Sequence, residues 1–233
     1  LISKLDSTIP VYPDWIKGIA CALGSAGLAF LYSGDMIAFI VTVICSLIGY
    51  FGRTLSVRFG CNEYVGIAIG GFAAMVSAYG FYSHIEQDSL VYVLVCCTLF
   101  MIPGVPLINS VIDTINNHIL SGITRAIRTI LIVGSMTLGM AMALYFSPMP
   151  AFSFVDIKPH VLSIEQIIGA FTAAASFAVL FNAPVRLLVS IGIGGVLCVF
   201  IRNLLAVEFG FSIPGATFVG AAVMSVIYVK VST

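Results

Sequence analysis

Long apolar runs, separated by short polar or proline- and glycine-containing stretches, dominate the chain. A hydrocarbon core of about 30 Å needs roughly 17–25 apolar residues in a crossing helix. Runs that are continuous rather than alternating are typical of transmembrane helices. We predict an all-α, polytopic transmembrane helix bundle of about eight spans. The predicted spans are residues 15–31, 36–51, 64–82, 90–102, a fifth that ends near 146, 164–181, 184–201 and about 214–229.

Composition agrees with a membrane protein. Hydrophobic residues make up 60% of the 233 positions and charged residues 9%, whereas soluble domains carry about 25% charged residues. A soluble core of this size cannot hide so much apolar surface. The ten basic and ten acidic residues form no strongly basic stretch, so nucleic-acid binding is not expected. The six cysteines and three histidines show no metal-ligand spacing, and we expect neither a metal nor another cofactor.

The basic residues predict an orientation in the membrane, because positive charge accumulates on the cytoplasmic side. With the amino end in the cytoplasm, two basic residues fall outside, Lys158 and Arg202. The others fall inside: Lys4, Lys17, Arg53, Arg58, Arg125, Arg128, Arg186 and Lys230. The 84–88 loop, which lacks lysine and arginine, then lies outside as the rule requires.

An internal repeat emerges when the chain is shifted by 149 residues against itself, which places Arg53 over Arg202. The matched segments are 27–35 with 176–184, 45–55 with 194–204, and 71–75 with 220–224. Similar composition of apolar segments is the alternative explanation. An odd number of spans separates the copies, so the second copy is predicted to be inverted, as in many secondary transporters.

The repeat divides the chain into three parts. Residues 1–146 form a first membrane module of five spans, and residues 147–162 form an extracytoplasmic connector. Residues 163–233 form a second module of three spans, which is predicted to be incomplete because no counterpart of 90–146 follows.

A helix break predicted at Pro103, Gly104 and Pro106 is the leading candidate for a substrate site. The prolines remove backbone donors, and broken backbone at membrane depth is tolerated where it is buried or lines a polar cavity. Carbonyls freed near Ile102 can accept from an ammonium group. Amides of a helix that starts near Leu107 can receive a carboxylate at the positive dipole end.

Polar residues follow this break at helical spacing. Asn109, Asp113 and Asn116 share one helix face, with Asn117 at its edge, and this mixed lining suits a zwitterionic amino acid or a small dicarboxylate. Asp113 is also the candidate for proton coupling, since intramembrane carboxylates are costly and commonly functional. The alternative is a cytoplasmic amphipathic helix at 107–127, in which Asp113 is a surface acid.

Other polar positions are weaker candidates. Asn182 and Pro184 are predicted to line the site from the second repeat, although Asn182, like Asp35, also suits a turn. Three further residues have an ordinary explanation beside a functional one. Glu165 suits a helix start or a gate, and Arg125 and Arg128 suit topology-setting charges or attraction of anions. Gly134 and Ser135 lack an intramembrane histidine partner, so no enzyme is expected.

The motifs carry a family resemblance. The run from Ile102 through Asp113 with its continuation 121–128, and the segment 176–189, resemble the threonine/serine exporter family. The resemblance covers 11–146 and 164–228 and singles out Pro103, Gly104, Asn109 and Asp113. Members are bacterial inner-membrane exporters driven by the proton-motive force. A related branch divides the modules between two subunits and is associated with succinate. A soluble amino-terminal domain and a second Pro-Gly segment, both usual in the family, are not found in the sequence, so a truncated chain is expected.

Together these features predict a secondary active, proton-coupled exporter of threonine- or serine-like amino acids. A dicarboxylate exporter is the close alternative, and a channel or an assembly module that needs a partner subunit is the more distant one. The expected partners are the small-molecule substrate, the lipid bilayer, and either a second copy or a partner membrane subunit.

Overall fold

The computed structural model describes residues 12–33, 35–85, 87–147 and 163–232, and no strand occurs among them. The predicted connector 147–162 therefore lies almost entirely outside the described residues. The helices are α1 (Asp14–Ser33), α2 (Met36–Arg58), α3 (Glu63–Gly80), α4 (Gln87–Cys96), α5 (Gly104–Ile115), α6 (Ile119–Phe146), α7 (Ile164–Leu180), α8 (Val185–Glu208) and α9 (Ile213–Ser232). Short 3-10 turns lie at Tyr82–His84 and Leu99–Met101.

Polar side chains cap three of the helix starts. Asp35 accepts a hydrogen bond from the Ile37 amide at 2.9 Å, and Asn62 accepts one from Tyr64 at 3.1 Å. The Ser163 hydroxyl accepts from the Gln166 amide at 3.3 Å. Each cap satisfies an amide that the helix itself leaves without a partner. The caps therefore explain why α2, α3 and α7 begin where they do.

Four helices in the described part of the chain, α1, α2, α6 and α8, are long and apolar enough to cross a bilayer. The bent pair α4 and α5 makes a fifth span if it is counted as one. Helices α7 and α9 are apolar but shorter. Many large apolar side chains point outward, for example Leu138 and Phe218, as expected of a lipid-facing surface. The all-helical prediction is confirmed for the described residues, and the count of eight spans stays a prediction.

The first six helices form the larger packed body. Helices α2, α3, α4 and α6 contribute to a core that includes Val41, Leu94 and Cys97. Helix α6 packs on α3, and α5 packs on α6 as an antiparallel hairpin. In the second body α8 packs between α7 and α9. The two bodies are joined through extensive contact between α1 and α7.

Glycines allow α1 and α7 to approach to backbone contact. A Cβ added to Gly27 would lie 2.7 Å from the Ala173 nitrogen and 2.9 Å from the Gly169 oxygen. One turn earlier on α1, a Cβ on Gly24 would lie 3.3 Å from the Ser176 Cβ. The partner numbers fall as the α1 numbers rise, so the two helices are antiparallel. Small residues at such crossings are a main source of helix cohesion in lipid.

Helix starts in the second body follow those in the first at the offset of 149 residues. Adding 149 to the first residues of α1, α2 and α3 gives 163, 185 and 212, and α7, α8 and α9 begin at 164, 185 and 213. The boundaries match the offset to within one residue, and the repeat itself stays a prediction. Its inversion stays a prediction as well.

Most described basic side chains collect at one end of the bundle, which we call the basic end. Arg58 at the end of α2 pairs with Asp14 at the start of α1, at 3.0 Å. Arg128 of α6 pairs with Glu63 at the start of α3, at 3.1 Å. Tyr12, which precedes α1, donates to the Ala183 carbonyl before α8, at 2.9 Å. The starts of α1, α3 and α8 and the end of α2 therefore share this end.

Candidate functional site

The predicted break lies between α4 and α5. Helix α4 ends at Cys96, and the axes on the two sides of the break, Ser89–Met101 and Gly104–Ile115, differ by 54°. The Ile102 carbonyl accepts from the Gly104 amide at 2.9 Å, so one acceptor predicted for an ammonium group is already used within the turn. Thr98 and Met101 are almost fully buried. Ile102, by contrast, is 45% exposed, so the irregular backbone is enclosed by protein only in part.

The start of α5 differs from the prediction near Leu107, which was wrong by three residues because the helix begins at Gly104. The Gly104 amide bonds Ile102, the Leu107 amide bonds Pro103 at 3.1 Å, and Pro106 has no amide hydrogen. At most the Val105 amide is left in the first turn. The start of α5 therefore has fewer free backbone amides to bind a carboxylate than the sequence suggested.

The continuous helix over 107–127 that the alternative interpretation requires is interrupted in the structure. A turn separates α5 from α6, with Asn116 at the end of α5 and Asn117 at a φ of +63°. Asn109 and Asp113 are half-buried and lie one helical turn apart, whereas Asn116 is exposed. The structure therefore brings two of the three predicted polar residues onto the less exposed face of α5.

Asp113 connects the two arms of the α5–α6 hairpin. Its Oδ2 accepts from the Ser121 hydroxyl at 2.8 Å and lies 3.3 Å from Arg125 Nε. The Asp113 side chain is 20% exposed and that of Arg125 46% exposed. Sequence reasoning missed both partners, because a continuous helix would place Ser121 and Arg125 two and three turns away. In the hairpin, protonation of Asp113 would remove the negative charge that attracts the Arg125 guanidinium group.

Glu63 forms a second ionic junction that sequence reasoning missed. Its two oxygens lie 3.4 Å from Arg53 Nη2 and 3.1 Å from Arg128 Nη2. The acid at the start of α3 therefore joins the end of α2 to α6. Partly exposed pairs contribute at most about 1 kcal/mol each. The junction positions the helices at the basic end more than it stabilises the fold.

The second-repeat candidates lie apart from the break. Asn182 adopts a φ of +57° in the turn before α8, and its Oδ1 is buried without a hydrogen-bond partner among the described residues. Pro184 occupies the position just before α8 beside it, without a side-chain hydrogen bond to the helix. In the described part of the chain α5 packs extensively on α6 alone, while α7 packs on α1 and α8. The structure therefore does not bring Asn182 and Pro184 together with Pro103 and Asp113.

The remaining candidates have ordinary structural positions. Asp35 caps α2, and Glu165 is exposed in the first turn of α7. Ser135 donates to the Leu131 carbonyl of its own helix at 2.8 Å. No group of three or more metal-ligating side chains occurs within the described ranges. These positions add nothing to the site formed by the break and the hairpin.

Comparison with protein families shows which family the chain belongs to. The family model described as "Putative threonine/serine exporter" matches residues 2–147, which is more than half of the chain. The chain belongs to the threonine/serine exporter family. A second model, "Threonine/Serine exporter, ThrE", matches residues 166–232. The two exporter-family matches thus cover α1–α6 and nearly all of α7–α9, and the resemblance seen in the motifs is confirmed.

Two curated relatives match part of the chain. Both are named "Probable succinate transporter subunit YjjP", one from Klebsiella aerogenes and one from Escherichia coli. Each is 25% identical, over 141 and 134 residues respectively, which is 57% of this chain and 52% of the relative. The chain therefore spans about half the length of the curated relatives it matches. No solved structure matches it.

Proposed function

We propose that the chain is the membrane core of a secondary active exporter of small, threonine- or serine-like amino acids. The family match over both helical bodies carries the proposal. The apolar helices fit a multi-pass protein of the bacterial inner membrane, and the basic end suits the cytoplasmic side.

The junction of α1 and α7 supports an inverted arrangement. At the offset of 149, Gly27 corresponds to position 176 and Ala173 to position 24. The contact of Gly27 with Ala173 is therefore the symmetry mate of the contact of Gly24 with Ser176, and both occur. A two-fold axis that exchanges two antiparallel helices is perpendicular to them. For helices that cross a membrane, this axis lies in the membrane plane and inverts one body relative to the other, as in transporters with inverted repeats.

Dicarboxylate export is the second candidate. It is favoured by the names of the two relatives, which contain the words succinate and subunit. A partner membrane subunit is part of this alternative. Threonine, serine and succinate all carry a carboxylate. We assign proton coupling to Asp113, whose contact with Arg125 links the two helices of the hairpin and would be weakened when the carboxyl group takes up a proton.

Counterflow separates these functions from a channel. We expect proteoliposomes that contain the chain and are loaded with unlabelled threonine to accumulate labelled threonine transiently above equilibrium, because a carrier exchanges bound solute across the bilayer. The same measurement with succinate tests the second candidate, and protein-free liposomes serve as the control. Flux that rises linearly with concentration and shows no overshoot would indicate a channel. Overshoot that requires an added membrane subunit would indicate an assembly module.

A further inference from the structure

A second polar cluster lies at the end of the bundle opposite the basic end. Of the lysine and arginine side chains that the structure describes, Arg202 alone lies at this end, near the end of α8. Its guanidinium group is 5.8 Å from the centre of the Tyr32 ring, close to the end of α1. Tyr32 in turn stacks on Tyr92 of α4, with ring centres 6.0 Å apart. Arg202 of α8 therefore contacts α1 through Tyr32, and Tyr32 in turn packs on α4.

Amide side chains hold the guanidinium in a fixed orientation. Arg202 donates from Nε and from Nη2 to Asn203 Oδ1, both at 3.1 Å. Asn203 is 4% exposed and donates from Nδ2 to Gln166 Oε1 on α7, at 2.9 Å. The bond to Gln166 turns the Asn203 oxygen toward the arginine. Asn203 and Gln166 are thus positioning residues for Arg202.

This arrangement leaves one edge of the guanidinium available. The bonds to Asn203 use Nε and Nη2, and no hydrogen bond from Nη1 to a described residue is found. No carboxylate among the described residues lies within ion-pair distance of Arg202, and the nearby helix-end acids Glu165 and Glu208 are exposed. The edge formed by Nη1 and Nη2 matches the two oxygens of a carboxylate, which arginine binds with paired hydrogen bonds.

The repeat shows what the second body lacks. Arg202 corresponds to Arg53, which pairs with Glu63 at the basic end. Position 63 corresponds to Ser212, and Asp14, which pairs with Arg58 there, corresponds to Ser163. The first body therefore neutralises its arginines with its own acids. The second body keeps the arginine but has serine at both acid positions.

We propose that the Nη1 and Nη2 edge of Arg202 binds the carboxylate of the transported solute at the end of the bundle opposite the basic end. The site rests on the proposed function, since it takes an amino acid or a dicarboxylate as its ligand. The half-buried guanidinium group of Arg202 has no carboxylate partner among the described residues, so its positive charge is not balanced there. A solute carboxylate supplies the negative charge that balances Arg202, as Glu63 does for Arg53. In the predicted orientation this end is extracytoplasmic, so the site lies where an exported solute is released.

Equilibrium binding to the full chain tests the site. Labelled L-threonine and labelled succinate are bound to the purified protein, with L-threoninamide and succinamide as competitors that lack the carboxylate. In the wild type we expect the amides to compete at least about tenfold more weakly than the acids. We expect Arg202→Gln to bind the acids about ten- to a hundredfold more weakly and to lose the preference for acid over amide, since bonds to charged groups have this magnitude.

Arg186→Gln is the matched control, because Arg186 is an exposed arginine on the same helix and forms no ion pair among the described residues. It should keep the wild-type affinity and preference. If Arg202→Gln keeps both the wild-type affinity and the preference for acid over amide, the proposed carboxylate site is wrong, whereas the exporter proposal is not contradicted. A wild type that binds neither acid would contradict both. If Arg202→Gln does not fold, Arg202→Lys decides: about tenfold weaker acid binding supports the paired edge, and unchanged binding overturns it.

Discussion

Leucine in place of Gly27 is expected to separate the two helical bodies and abolish transport. The Cβ alone would lie 2.7 Å from the Ala173 nitrogen and 2.9 Å from the Gly169 oxygen, and these backbone atoms cannot move aside as a flexible side chain can. Overpacking of this kind costs about 3 kcal/mol, the upper end of the usual range. The thermal unfolding midpoint of the purified protein should fall, and counterflow should be lost.

Gly134→Leu provides the control for this prediction. Gly134 lies within α6, and no atom of another element lies within 4 Å of a Cβ built there. The substitution is expected to leave unfolding and counterflow near wild type. Gly169→Leu should reproduce the defect from the other side, since its Cβ would lie 2.7 Å from the Gly27 oxygen. If Gly27→Leu and Gly134→Leu behave alike, α1 and α7 do not pack as described.

Asp113→Asn is expected to abolish transport driven by a pH gradient. An asparagine cannot take up and release a proton, although it can still bond Ser121, which lies 2.8 Å from the carboxylate. Labelled threonine efflux from proteoliposomes with and without an imposed pH gradient gives the comparison. We expect the gradient to accelerate efflux in the wild type and to have no effect in the variant.

Ser121→Ala and Arg125→Gln distinguish proton coupling from a purely structural role of Asp113. Both remove a partner of Asp113 and loosen the hairpin between α5 and α6, yet both keep the titratable carboxyl group. They are expected to slow transport while the gradient still accelerates it. Acceleration that survives in Asp113→Asn, or is lost equally in all three variants, would show that Asp113 acts only through the hairpin.

Hydrophobic pattern predicted most of the fold, because apolar runs and their polar ends mark helices directly. The starts of α2 and α8 lie at or within one residue of the predicted spans, and Asp35 caps α2 where a turn was expected. The same pattern could not locate the turn at Asn116 and Asn117. Such a turn depends on the Asn117 backbone adopting a positive φ and on the tertiary contact of Asp113 with Arg125.

The site was predictable only in part for a related reason. Pro103 and Gly104 predicted a break, since a missing amide acts locally, and the axes there do change direction by 54°. Which acceptors and donors the break leaves available depends on bonds such as that from Gly104 to Ile102. The partners of Arg202 were not predictable, because Gln166 and Tyr32 meet it only through packing of separate helices.

Membrane-impermeant thiol labelling tests the inverted arrangement most directly. The native Cys61 is exposed in the loop between α2 and α3. Ser212, exposed in the corresponding loop between α8 and α9, lies two residues after position 210, which matches Cys61 at the offset of 149. The two positions are compared in intact cells and in inverted vesicles, with Ser212→Cys placed in a Cys61→Ser background and Cys61→Ser alone as the blank. An inverted repeat predicts that Cys61 reacts only from the cytoplasmic side and position 212 only from the outside. Labelling of both positions from the same side would contradict it.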